Sequence, residues 1–274
     1  MSPPTDSSQP ATYAAVAAAA PPPPNTSTDH TNNNNDAAHP ANPSESEPLL
    51  GRPGDAVQKP NAPMIRNLWL GTGWLALAGC VILLAEIWAS VFTHPTLPLV
   101  SPHPLLQSLG AVTLIQAILV LQPTGATPES KILGQRAHAT LMVLALLLFV
   151  GGVSVIETNK HVNNMPHFHS AHGVLGFIGA VLFLGQYVFG VLMWAVPGVL
   201  GGEQKAKALW KYHRYSGYGL LIVLLLALLS AAETDYVHKV LGVNVWIVAA
   251  AVLLIAVGVF PRIQLRKLGI QRSQ

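Results

Sequence analysis

The chain has 274 residues, 51% of them apolar and only 10% charged, with a formal charge of +3 and one cysteine. A soluble domain of this size carries about 25% charged residues, so a water-soluble globule is excluded, and a surplus of three charges does not argue for a nucleic-acid partner. The lone Cys80 excludes a disulfide framework or a cysteine-ligated metal site within one chain.

Residues 1–65 read as a cytosolic tail. They hold four prolines at 21–24, an asparagine run at 32–35 and scattered Ser, Thr, Asp and Ala. Such a segment buries too little apolar surface to fold, so disorder is expected. It lacks a basic start, and its alanine run at 17–20 ends in the prolines, so the first apolar segment is expected to act as its own insertion signal. Asn25 opens a glycosylation sequon that a cytosolic tail would keep from the lumenal enzyme. Residues 45–50 (ESEPLL) have the form of an acidic dileucine sorting signal, an address for vacuolar or endosomal membranes that is short enough to arise by chance.

Six apolar segments follow, at 68–92, 104–121, 139–156, 174–196, 217–232 and 243–260. Each is close to the roughly 20 residues that span a hydrocarbon core, allowing for polar first turns. The expected fold class is all-α: a polytopic membrane protein of six transmembrane helices in the lipid bilayer. Segments two to five are expected to form a four-helix core, with segments one and six flanking it. This domain is expected over 66–262, with a basic cytosolic tail at 263–274. Six crossings put both termini on one side, with the loops after segments two and four. That side collects thirteen Lys and Arg, and the other keeps only Lys160 and Lys239, a bias that places both termini in the cytosol.

His103, His138, His172 and His213 each open an apolar segment, at steps of 35, 34 and 41 residues. One histidine near the start of each crossing lands on alternate faces of the bilayer. His103 and His172 share one face; His138 and His213 share the other. Two same-face imidazole pairs inside a bundle match the axial ligand sets of two haem irons. One intramembrane histidine alone is as readily a hydrogen-bonded packing residue, but four at matching positions are harder to assign to packing. Helix phase adds that His172, Gly176, Gly179, Phe183, Gln186 and Gly190 share a face. Gly217 follows His213 by four residues, Gly110 follows His103 by seven, and Gly151 and Gly152 close the third segment. These glycines are expected to leave room for a flat macrocycle, although small residues also let membrane helices pack closely. Two imidazoles per iron leave no open position, which favours electron transfer over oxygen activation, and the other ring nitrogen should donate to a neighbouring group.

SPHPLLQSLG around His103, GQRAHATL around His138, HFHSAHGVLG around His172 and KYHRYSGYG around His213 resemble the cytochrome b561 family. The resemblance covers segments two to five and their loops, and the plain six-helix organisation is similar to the family's stand-alone members. It implies two b haems and a transmembrane oxidoreductase. Electrons would pass from a cytosolic ascorbate-like donor to monodehydroascorbate or ferric ion on the other side. Many members end the second segment with an aromatic–arginine motif, where this chain reads LQPTGATPESK. Lys131 and Arg136 remain just before His138, and they are expected to hold an anionic donor by point charge and fork geometry. Ordinary anchoring at the cytosolic face explains the two cations equally well.

Five further histidines, His94, His161, His167, His169 and His238, all fall on the non-cytosolic side. Imidazole suits iron and copper ions, so His161, His167 and His169 are the candidate outer acceptor site; a polar or pH-responsive loop is the plainer reading. His169 lies three residues before His172 on the same helical face, and the glycine slot favours His172 as the iron ligand. Glu86, a carboxylate inside the first segment, is a candidate proton acceptor or a residue hydrogen-bonded within the bundle. The rival reading is a haem-free six-helix transporter or scaffold using histidines as proton or metal sites. A homodimer is compatible with either.

Overall fold

Side-chain caps set where the helices begin. Thr127 and Ser130 form a reciprocal capping box with Pro128 in the first turn, Ser170 accepts from Gly173 N, and Asn244 accepts from Trp246 N. The computed structural model describes residues 56–269; residues 1–55, with the sequon and the dileucine sequence, and 270–274 lie outside the described residues. The helices are α1 (Gly73–Thr93), α2 (Pro102–Leu121), α3 (Pro128–Val162), α4 (Ala171–Trp194), α5 (Glu203–Ala232) and α6 (Val245–Val259). All six are long and apolar enough to cross a membrane, with α6 continuing through a tight turn to Arg262. The chain is an all-α, multi-pass membrane protein.

α3 has 35 residues, so at 1.5 Å per residue it is about 50 Å long, well beyond a hydrocarbon core of about 30 Å. Its cap draws Glu129, Lys131 and Arg136 into the helix, ahead of the apolar segment expected at 139–156.

The helices pack chiefly as three pairs: α1 on α6, α2 on α3, and α4 on α5. Small residues set the first crossing. A Cβ added to Gly258 would collide with the Ala76 backbone, and one added to Gly79 would lie 2.6 Å from Ala251 O. Thr72 Oγ1 also donates to Gly258 O at 2.9 Å. Leu83, Ile115, Leu119, Leu221 and Ile255 are fully buried at the centre. By contrast α3 meets α4 only sparsely, and Gly179, Phe183 and Met193 are the only buried residues of α4. The two inner hairpins therefore face each other across a space that side chains leave partly unfilled.

Val81, Leu147, Val181 and Leu253 point outward as a lipid-facing surface must. Trp74, Trp194 and Tyr212 are exposed at one end and Trp246 at the other, where amphipathic rings favour a membrane interface.

Residues assigned by composition to the two tails are part of the folded body. Gln58 N donates to Thr124 O and Thr124 N to Ala56 O, while Gln264 Nε2 donates to Ala56 O and Gln264 Oε1 accepts from Thr124 Oγ1. Polar groups that cannot enter the bilayer satisfy one another over the end where α3 and α5 begin. Buried Arg262 joins this cap, donating to Asn67 O at 2.6 Å and Leu119 O at 3.2 Å. Carbonyls at a helix C-terminus lack partners within the helix, and a guanidinium satisfies several at once.

Candidate functional site

Each of three histidines is oriented by a carbonyl of the neighbouring helix in its hairpin. His103 Nδ1 donates to Gly152 O at 2.9 Å and His138 Nδ1 to Ala117 O at 2.8 Å, a reciprocal lock between α2 and α3. His172 Nδ1 donates to Ala227 O of α5 at 3.0 Å. A carbonyl can only accept, so in the neutral ring the proton sits on Nδ1 and Nε2 keeps a lone pair for a metal. His213 is the exception, because its buried Nδ1 has no partner among the described residues. Its backbone carbonyl instead accepts from Gln186 Nε2 at 2.6 Å, tying α5 to α4.

The rings meet across the space between the hairpins. His103 and His172 have centroids 6.0 Å apart with planes at 77°, and His138 and His213 have centroids 6.5 Å apart at 84°. A metal–imidazole bond is about 2 Å and the ring centre lies about 1 Å behind its nitrogen, so a linear clasp puts centroids about 6 Å apart. Both pairs fit a two-imidazole clasp. Among the described residues no cluster of three or more His, Cys, Asp or Glu is arranged to hold a metal. His172, not His169, faces His103; His169 is exposed in the preceding loop with Nδ1 on Pro166 O.

The glycines divide between two tasks. A Cβ on Gly176 would meet nothing within 4 Å, and one on Gly190 would lie 3.1 Å from His213 Cε1. Gly190 clears space beside an imidazole, and Gly176 faces open space. Gly110, Gly179 and Gly152 instead admit Phe149, Leu224 and Gln107, which is helix packing. Phe149 and Phe183 stack edge-on with centroids 5.1 Å apart and fill the bundle between the two histidine pairs.

A cavity of about 620 Å³ opens at the His138/His213 end, within the usual size of a ligand pocket of about 300–1,000 Å³. Both rings line it, with Phe183, Lys131, Arg214 and Lys267. Arg136 is exposed and does not line it. Sequence reasoning missed Arg214 and Lys267, which it counted only as charges that orient the chain.

At the other end His161, in the last turn of α3, and the loop residues His167 and His169 do not converge. His161, His167 and His169 are exposed, and Glu157 takes Lys160 at 2.7 Å and His167 Nδ1 at 3.1 Å. Glu86 Oε1 accepts from Asn244 N at 2.7 Å and so helps to cap α6.

The family description of eukaryotic cytochrome b561 matches residues 102–238. The chain is 32% identical over 103 residues to the plasma membrane ascorbate-dependent reductase CYBRD1 of Mus musculus, covering 35% of each chain. Its counterpart in Xenopus laevis is 29% identical over 117 residues, 42% of this chain and 40% of that one. The Rattus norvegicus protein is 32% identical over 103 residues, 35% of this chain and 36% of that one. The matched segment thus spans little more than a third of these curated relatives' length. With its four histidine-bearing helices falling inside the matched residues, this chain belongs to the eukaryotic cytochrome b561 family.

Proposed function

We propose that the chain is a transmembrane oxidoreductase carrying electrons through two b-type haems, from a cytosolic ascorbate-like reductant to ferric ion or monodehydroascorbate on the far side. The observation that carries this reading is the meeting of imidazoles in two pairs, one at each end of the inner hairpins. Family membership implies b-type haem, and the relatives' name points to ascorbate as the reductant. His103 with His172, and His138 with His213, would each hold one haem through Nε2. Haem held in this way would supply a one-electron couple.

The chain's own residues do the rest. The carbonyls of Gly152, Ala117 and Ala227 fix ring orientation and tautomer at three of the four ligands. Phe149, Phe183 and the apolar shell exclude water between the pairs. Lys131 at the cavity wall, with Arg136 on the neighbouring surface, draws an anionic reductant to the His138/His213 end. The bias of thirteen cations against two supports a cytosolic position for that end and for both termini. The exposed imidazoles of His161, His167 and His169 are suited to a passing ferric acceptor, and their separation favours a transient encounter over a closed cage. The dileucine sequence supports a vacuolar or endosomal address, whereas the relatives are named for the plasma membrane.

Rapid mixing of the detergent-purified full chain with ascorbate tests the reading. Reduction of b-type absorbance, reversed on adding ferric citrate, is expected. Folded protein without b-type absorbance would leave the haem-free transporter standing instead.

A further inference from the structure

The two inner hairpins hold their imidazoles differently. In α2–α3 each ring donates to a carbonyl of the opposite helix. In α4–α5 only His172 does so, to Ala227 O. The reciprocal bond comes from an amide instead of a ring. Gln186 Nε2 donates to His213 O at 2.6 Å, while the buried Nδ1 of His213 has no partner among the described residues.

That amide is fixed at both ends. A carbonyl can only accept, so the NH2 end must face His213 O, and Oε1 accepts from Ser216 Oγ at 2.8 Å. Ser216 Oγ also lies 2.8 Å from Tyr212 O, one turn back along α5, the usual anchorage of a serine hydroxyl within a helix. Two glycines make room for the arrangement. A Cβ on Gly217 would stand 3.0 Å from Gln186 Nε2, and one on Gly190, a turn beyond Gln186, would stand 3.1 Å from the His213 ring. A primary amide in an apolar bundle is costly unless its groups are bonded. Closing a helix pair does not call for one, since α1 and α6 pack on Gly79 and Gly258 without an amide between them. What Gln186 holds is the stretch of α5 main chain from which the His213 ring projects.

We propose that Gln186, oriented by Ser216, is the positioning residue of His213. It fixes the main chain beneath the ring and thereby the angle at which that imidazole meets a metal shared with His138. The inference rests on the proposed function, because it takes both imidazoles as iron ligands. The two ring planes stand at 84°. In a low-spin ferric centre with two imidazoles, the largest g value is greatest when the planes are perpendicular and falls as they turn toward parallel.

The test is electron paramagnetic resonance of the oxidised full-length chain in detergent, with haem content measured on each sample. The signal of the His138/His213 centre is the one lost in His213→Leu. Gln186→Leu, close in size but without the amide, is expected to lower the largest g value of that signal or abolish it, and to leave the other signal unchanged. Ser216→Ala is expected to shift the same signal the same way by less, and Ser216→Thr, which keeps the hydroxyl, to restore it. A Gln186→Leu chain with parental haem content and both signals in place overturns the positioning role and spares the proposed function. So does a shift of both signals alike, which marks general loosening. If Gln186→Leu does not fold, Ser216→Ala decides, and an unmoved signal overturns the role. A parent chain without b-type haem overturns both.

Discussion

One methyl group on Gly190 is enough to crowd the His213 ring, since its carbon would stand 3.1 Å from Cε1. His213 is also the imidazole whose Nδ1 has no partner among the described residues, so the ring has least to hold it in place. Gly190→Ala is therefore expected to remove or shift the His138/His213 centre alone, costing up to about half of the b-type absorbance if each pair holds one haem. Gly217→Ala is the milder control, because its methyl would meet only the end of the Gln186 side chain, at 3.0 Å. Lys267 lines the cavity to which the reductant is drawn, where burial and the charges of Arg214 and Lys131 hold its ammonium down at about 8, and it makes a second prediction. Its charged form is present below about 8 and lost as pH rises through that value. The KM for ascorbate should therefore climb several-fold from pH 7 to 9 and lose this dependence in Lys267→Gln. Stability moves the other way. Free lysine keeps its proton to 10.5, so between about 8 and 10.5 the unfolded chain holds the extra proton and stability rises with pH. The four histidines were legible in the sequence because an intramembrane polar residue is costly and recurs here once per crossing. Lys267 was not, because nothing in the sequence distinguishes a cation on a cavity wall from one that only orients the chain.

Among the helices, the α1–α6 crossing is the most tightly specified. Gly258 faces the Ala76 backbone and Gly79 faces Ala251 O, with no flexible side chain to give way. Gly258→Val should destabilise the bundle by about 1–3 kcal/mol, the usual range for overpacking, seen as earlier thermal loss of b-type absorbance. Six crossings could be counted in advance because hydrocarbon thickness fixes the length of an apolar segment. Their ends could not, because Thr127 and Ser130 extend α3 by a capping box that hydropathy does not register. One expectation for the glycines gave way to two roles. Gly176 and Gly190 face open space or an imidazole, while Gly110, Gly152 and Gly179 admit side chains from adjoining helices. Helical phase places these residues on a face but cannot say which neighbour occupies it. Glu86 is similar: its depth marked it as notable, and only the fold shows Asn244 N as its partner.

Across the described residues, three pairs of helices leave the inner hairpins facing each other, with an imidazole pair at either end and Phe149 and Phe183 between. The polar cap over one end is the large feature that composition concealed. Residues 56–58 and 263–268 are polar or basic enough to read as tails, yet they pair with the loop at 122–125 and with α5. Short polar segments of this kind fold by satisfying specific partners, and composition does not record partners. The account as a whole depends on both imidazole pairs being iron ligands. A pyridine haemochromogen assay on the folded, full-length chain, set against its protein concentration, measures this most directly. The account predicts about two haems per chain; one or none contradicts it.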